Sequence, residues 1–144
     1  MERRAGRVDH QPDSHASVPH QTHLQHTGGA GSPDRTVQVR RLVELIGSLR
    51  PAVLTGDLNA LPQWPELDPL EALLEDAWTE AGRGPGYTYP AHPTREPDRR
   101  IDYVFVSKDV AVRQATVTIT PVTRLAADHY PVVADVTLPA PPLP

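Results

Sequence analysis

Gly56-Asp57-Leu58-Asn59 closes a short apolar run, Asp128-His129-Tyr130-Pro131 lies near the far end of the chain, and Arg100-Ile101-Asp102-Tyr103 stands between them. In the first cassette a carboxylate and an amide are two residues apart, so an extended backbone puts both side chains on one side. A carboxylate can orient or deprotonate a water, and a neutral amide can donate to a phosphoryl oxygen that gains negative charge. Taken alone, the same pair is better explained as a turn whose side chains bond their own backbone. In Asp128-His129 the two side chains diverge on an extended chain. Asp128 then offers oxygen to a hard divalent cation, and His129 offers a ring that exchanges protons near neutrality. Asp102 sits inside an otherwise apolar strand, where a lone carboxylate is costly unless paired. Its partner is either Arg99 or Arg100, or a protonated imidazole such as His129, which would fix that ring's tautomer and raise its basicity. His23 and His26 stand three apart in Thr22-His23-Leu24-Gln25-His26 and face opposite ways on a strand, so by themselves they read as polar loop residues before Gly28-Gly29. Each of the three main cassettes puts acidic, amide or imidazole groups where a strand gives way to a loop, a combination suited to metal-assisted phosphoester hydrolysis.

The elements that must position these groups follow from the apolar spacing. Ser32-Pro33 supplies an N-cap and a first-turn proline, and Val39, Leu42, Val43, Ile46 and Leu49 then form one helical stripe that Gly47 weakens and Pro51 ends. Residues 52–55 are a continuous apolar run, predicted as a strand buried on both faces. Asp68-Pro69 repeats the cap signal, and Leu70, Leu73, Leu74 and Ala77 predict a second helix. Residues 82–86 are a turn-rich loop leading to Tyr87-Thr88-Tyr89, which has strand character until Pro90, and residues 91–99 are a further loop. Strands are predicted over 101–106, 110–112, 116–120 and 132–138, the last with one wet face. Helix, strand, helix and then several strands make a layered α/β or α+β domain with a mixed or antiparallel sheet.

Composition narrows the function classes. The 144 residues hold no cysteine, which excludes disulfides and thiolate metal sites and leaves oxygen or imidazole as metal ligands. Apolar content of 38% with 17 prolines and 9 glycines implies long loops for one modest domain. No apolar run approaches the roughly 20 residues that span a bilayer, nothing resembles a signal peptide, and the chain as written is expected in the cytoplasm. A net charge of -4 argues against a passive polyanion-binding track, although Arg40-Arg41 and the arginines at 95, 99 and 100 suffice to hold one phosphate. Residues 1–20, with His10, His15 and His20, carry no periodic apolar pattern and are expected to be a disordered leader with some capacity for transition metals. The domain proper is expected over 21–138, followed by a proline-rich tail at 139–144.

Thr22-His23-Leu24, Arg35 and Gln38 opening a helix, Gly56-Asp57-Leu58-Asn59, Arg100-Ile101-Asp102-Tyr103 and Asp128-His129-Tyr130-Pro131 together resemble, in order and spacing, the endonuclease/exonuclease/phosphatase superfamily. The resemblance implies a sandwich of two sheets flanked by helices, with the site at one sheet edge. It implies that Asp57 orients or activates the attacking water, that Asn59 contacts the scissile phosphate and that His129, supported by Asp102, is the acid/base histidine. His23 would bond a phosphate oxygen, and Asp128 would belong to a Mg2+ or Mn2+ site. The substrate would be a phosphoester, nucleic acid among the options.

The chain departs from the family pattern in one large respect. The asparagine of a first strand and the glutamate that ligates the metal have no counterpart here, so the resemblance covers the C-terminal portion, as a partial sandwich. A half-sandwich leaves sheet surface uncovered, from which self-association is expected. Two functions remain in play: a divalent-metal-dependent phosphoester hydrolase, or a catalytically weak or inactive remnant acting at most as a binding module.

Overall fold

The computed structural model describes residues 29–90, 92 and 95–140. The leader, His23 and His26, and the last residues of the tail lie outside them. Helix α1 (Pro33–Ile46) follows the predicted stripe as far as Ile46, with Leu42, Val43 and Ile46 packed around buried Val39, whereas Leu49 lies beyond the helix and is exposed. Ser32 holds the N-cap position without a side-chain bond. Glu66 does the capping instead, its Oε1 accepting from the Gly31 and Ser32 amides at 2.9 and 3.0 Å and from Arg35 Nη1 at 2.7 Å.

Strand β1 (Val53–Asp57) runs antiparallel to β3 (Asp102–Val106), whose other side takes the two-residue β2 (Glu75–Asp76). A second antiparallel sheet joins β4 (Ala111–Val117) to β5 (Val132–Thr137). The three-stranded sheet carries apolar clusters on both faces. Against one lie α1 and the short helix α2 (Asp68–Leu73), with Leu67, Leu70, Leu74, Tyr103 and Phe105 at the centre. Against the other, Val104 and Val106 meet Val112, Ala115, Val132, Ala134 and Val136 of the second sheet. The product is a partial two-sheet α/β sandwich, as expected, with every strand pair among the described residues antiparallel. No helix among the described residues is long and apolar enough to cross a membrane.

Three local expectations are corrected, and one helix is added. β1 is an edge strand, not one buried on both faces: it pairs only with β3 among the described residues, and Val53 is 49% exposed. The second predicted helix breaks after Leu73, because Glu75 and Asp76 pair with Val106 and Phe105. Asp76 then caps a new helix, α3 (Ala77–Ala81), accepting from the Trp78 amide at 3.0 Å. Strands expected at 110–112 and 116–120 are one strand with an irregularity between Val112 and Gln114, and the ladder ends at Val117. Residues 121–126 form an unforeseen helix, α4 (Pro121–Ala126), entered through a reciprocal capping box between Thr120 and Thr123.

Candidate active site

β1 ends at Asp57 and β3 begins at Asp102, and the antiparallel register sets these two residues directly opposite one another. Like charges so placed repel unless positive charge lies between or beside them. His129, at the entrance to β5, meets part of this demand: its Nδ1 lies 2.8 Å from Asp102 Oδ2 and 3.0 Å from Oδ1. An ionised carboxylate only accepts, so Nδ1 carries the proton in this bond and Nε2 is left to exchange one. Of the two partners open to Asp102, the structure selects the histidine. Arg100 turns instead to Asp76, at 2.5 Å in a buried pair, and lies over the Tyr103 ring.

Asp57 and Asn59 form the local turn that their types allow. Asp57 Oδ1 accepts from the Asn59 amide N–H at 2.8 Å and Oδ2 from Asn59 Nδ2 at 3.0 Å. Asn59 adopts φ +49°, in the left-handed region that asparagine tolerates best among residues with a Cβ. The amide group is thus folded back on the carboxylate rather than projecting parallel to it. Leu58 N–H continues to Ile101 C=O at 2.9 Å, so the turn is tied to β3.

Asp57, Asp102 and His129 can bring one ligand atom each within 4.8 Å of one another. Two carboxylates opposed in register beside an imidazole are a donor set that could hold a metal ion. The three groups open onto a hollow of about 510 Å3, whose walls include Thr55, Thr123, Ala127 and Val132. A larger hollow of about 810 Å3 lies between the 83–87 loop and β4 and contains none of these groups, so the chemistry belongs to the smaller one. Asp128 is exposed and lines a neighbouring depression with Arg95, Glu96 and Arg124. It is outside the three-group cluster, and His23 lies outside the described residues.

Tyr103, within the Arg-Ile-Asp-Tyr cassette, has a structural place. It is buried, its hydroxyl donates to Ala60 C=O at 2.7 Å, and burial, foremost among several influences, pushes its pKa well above the usual phenol value. Two contacts escaped the sequence. Thr88 Oγ1 donates to Asp102 Oδ2 at 2.6 Å, and the Tyr89 ring stands 4.6 Å from that of His129. Their signal was a Tyr-Thr-Tyr segment placed before an apolar strand bearing a half-buried acid.

The family model for the Endonuclease/Exonuclease/phosphatase family matches residues 15–129. The chain belongs to that family. Solved structures agree. An endonuclease/exonuclease/phosphatase from Beutenbergia cavernae is 33% identical over 74% of this chain, with a TM-score of 0.57. One from Bacteroides vulgatus is 29% identical over 72%, also at 0.57. A mannosyl-6-phosphatase from Bacteroides thetaiotaomicron is similar in fold, at 22% identity over 72% of the chain and a TM-score of 0.53. The matched regions span 31%, 42% and 44% of those three proteins, so this member of the family corresponds to less than half of each. No curated protein matches the chain.

Proposed function

We propose that this chain carries the acid/base half of a divalent-metal-dependent phosphoester hydrolase. The observation that supports it most is the Asp102–His129 pair, held at 2.8 Å and facing Asp57 across the β1–β3 register beside an open hollow. Asp57 orients the attacking water and accepts its proton while the new P–O bond forms. His129, protonated on both ring nitrogens, gives its Nε2 proton to the leaving oxygen as the old P–O bond breaks, and Asp102 keeps the Nδ1–H bonded so that Nε2 faces the reaction. Asn59 steadies Asp57 and, when substrate displaces that bond, donates Nδ2 to a phosphoryl oxygen. His23 is a further proposed phosphate contact, on resemblance alone.

Mg2+ or Mn2+ would be held by carboxylate oxygen of Asp57 and Asp102, with Asp128 joining directly or through one of the ion's waters. When bound it supplies positive charge to the phosphoryl oxygens. The net charge of -4 favours a compact phosphoester over long duplex nucleic acid. The test is phosphate release from a generic phosphodiester and a sugar phosphate in Mg2+, comparing the chain with Asn59→Ala and His129→Ala. Loss in both variants is expected, and equal rates in all three proteins would remove the proposal.

A second proposal is a binding module that keeps the fold with little turnover, which the place of Asp128 outside the three-group cluster supports. The edge of β1 away from β3, which pairs with no strand among the described residues, and exposed Val53 and Val133 also support self-association.

A further inference from the structure

Residues 88 and 89 touch the acid/base pair from three directions. Thr88 is wholly buried, and its Oγ1 donates at 2.6 Å to Asp102 Oδ2, the same oxygen that lies 2.8 Å from His129 Nδ1. The Thr88 carbonyl accepts the Tyr130 amide at 2.8 Å, fixing the residue that follows His129, and the Tyr89 ring packs on the imidazole at 4.6 Å. We infer that Thr88 is a positioning residue for the Asp102–His129 pair: its hydroxyl fixes the plane of the carboxylate, and so the orientation and tautomer of the imidazole.

The hydroxyl is itself placed by its surroundings. The Thr88 amide donates to Arg99 C=O at 2.7 Å, and Oγ1 lies 3.4 Å from the Ile101 and Asp102 amides, so the side chain is held at the start of β3. The loop that delivers Thr88 is wound against Trp78 of α3. Trp78 Nε1 donates to Gly84 C=O at 3.2 Å, and Gly84 and Gly86 adopt φ of +78° and +66°. A Cβ on Gly86 would come within 2.4 Å of the indole, so the ring and the loop leave no room for another path. A carboxylate with two donors on one oxygen, both set by neighbouring backbone, cannot rotate without breaking one of them.

The simpler account is a buried hydroxyl that merely satisfies itself, and three substitutions separate the two. Thr88→Val keeps shape and removes the hydroxyl, Thr88→Ala removes it by a second route should the valine variant fail to fold, and Thr88→Ser restores it. The first readout needs no turnover: 15N NMR of His129 in the full chain at one fixed pH. Wild type and Thr88→Ser should show a single Nδ1–H tautomer, and the hydroxyl-free variants a mixture. The second rests on the proposed hydrolysis: kcat for phosphate release should fall about 10–100-fold in the hydroxyl-free variants, with KM little changed and Thr88→Ser restoring the rate. Identical His129 spectra in all the folded variants would overturn the inference, whatever the rates. Absence of turnover in wild type with the tautomer shift present would overturn the hydrolase proposal and leave Thr88's role standing.

Discussion

His129 Nδ1 sits 2.8 and 3.0 Å from the two oxygens of Asp102, so one carboxylate spans one ring nitrogen. Asp102→Asn keeps the shape but can turn an N–H toward the ring, which would then carry its proton on Nε2. A ring so held cannot carry protons on both nitrogens, so the doubly protonated form that gives up its Nε2 proton is lost while the fold stays intact. Phosphate release in Mg2+ is expected to fall by about 10^2–10^4. The thermal transition should move little, since the pair is part-exposed, and an unchanged rate would exclude His129 from proton transfer.

Asn59 combines a chemical and a backbone role that substitution can separate. Glycine and alanine both delete the amide that reaches Asp57, yet only glycine is at ease at φ +49°. Activity should therefore be lost alike in Asn59→Gly and Asn59→Ala, whereas the alanine variant should be less stable than the glycine variant by about 1–2 kcal/mol. Urea denaturation of the two gives the comparison directly, and equal stabilities would contradict the left-handed geometry.

Glu66 ties the entrance of α1 to the segment before α2. Burial raises its pKa, but bonds from its own backbone, from Arg35 and from the Ser32 and Gly31 amides outweigh this and leave it below the usual 4.5. A carboxyl whose pKa is lower in the folded chain binds fewer protons there than when unfolded. Its stabilising contribution is whole above the unfolded value and is lost as pH falls through the folded one. Glu71 acts in the opposite sense, since burial and the nearby charges of Asp76 and Asp68 raise its pKa. Glu66→Gln isolates the first effect. It should cost about 3–5 kcal/mol at neutral pH, because Arg35 is left buried and unpaired. The difference from wild type should narrow as the pH is lowered below 4.5. A difference constant with pH in chemical denaturation would show that Glu66 is not the group responsible.

The chemistry was more legible than the architecture. Asp57, Asn59, Asp102 and His129 converge because their cassettes lie at strand ends, and short apolar runs ending in polar residues are visible in one dimension. The choice between Arg100 and His129 as partner of Asp102 was not visible, since it depends on Asp76 arriving beside β3 and taking the arginine. That arrival is also what broke the predicted second helix: pairing of Glu75 and Asp76 with β3 outweighed a continuous helical stripe. Thr88 was hidden for a related reason, because its bond to Asp102 joins residues 14 apart through a loop whose path is set by Trp78. Burial of β1 on both faces does not follow from its apolar run, because such a run states what a strand prefers to bury and not what lies against it among the described residues.

The edge of β1 away from β3 carries the last expectation. β1 pairs only on its β3 side among the described residues, Val53 and Val133 are 49% and 53% exposed, and Leu125 on α4 is 89% exposed. An unpaired edge flanked by apolar side chains is a template for another strand, and natural edges are commonly blunted by an inward-pointing lysine. No lysine occurs in β1 or β5. The chain should therefore self-associate with rising concentration in sedimentation velocity, and Val53→Lys with Val133→Lys should shift it toward monomer. Neither position belongs to the proposed acid/base machinery, so the double variant should retain the His129 tautomer of wild type. A chain that sediments as a monomer at every concentration would refute the association, and one whose oligomer ignores both lysines would place the contact elsewhere, with Leu125→Lys the next substitution to measure.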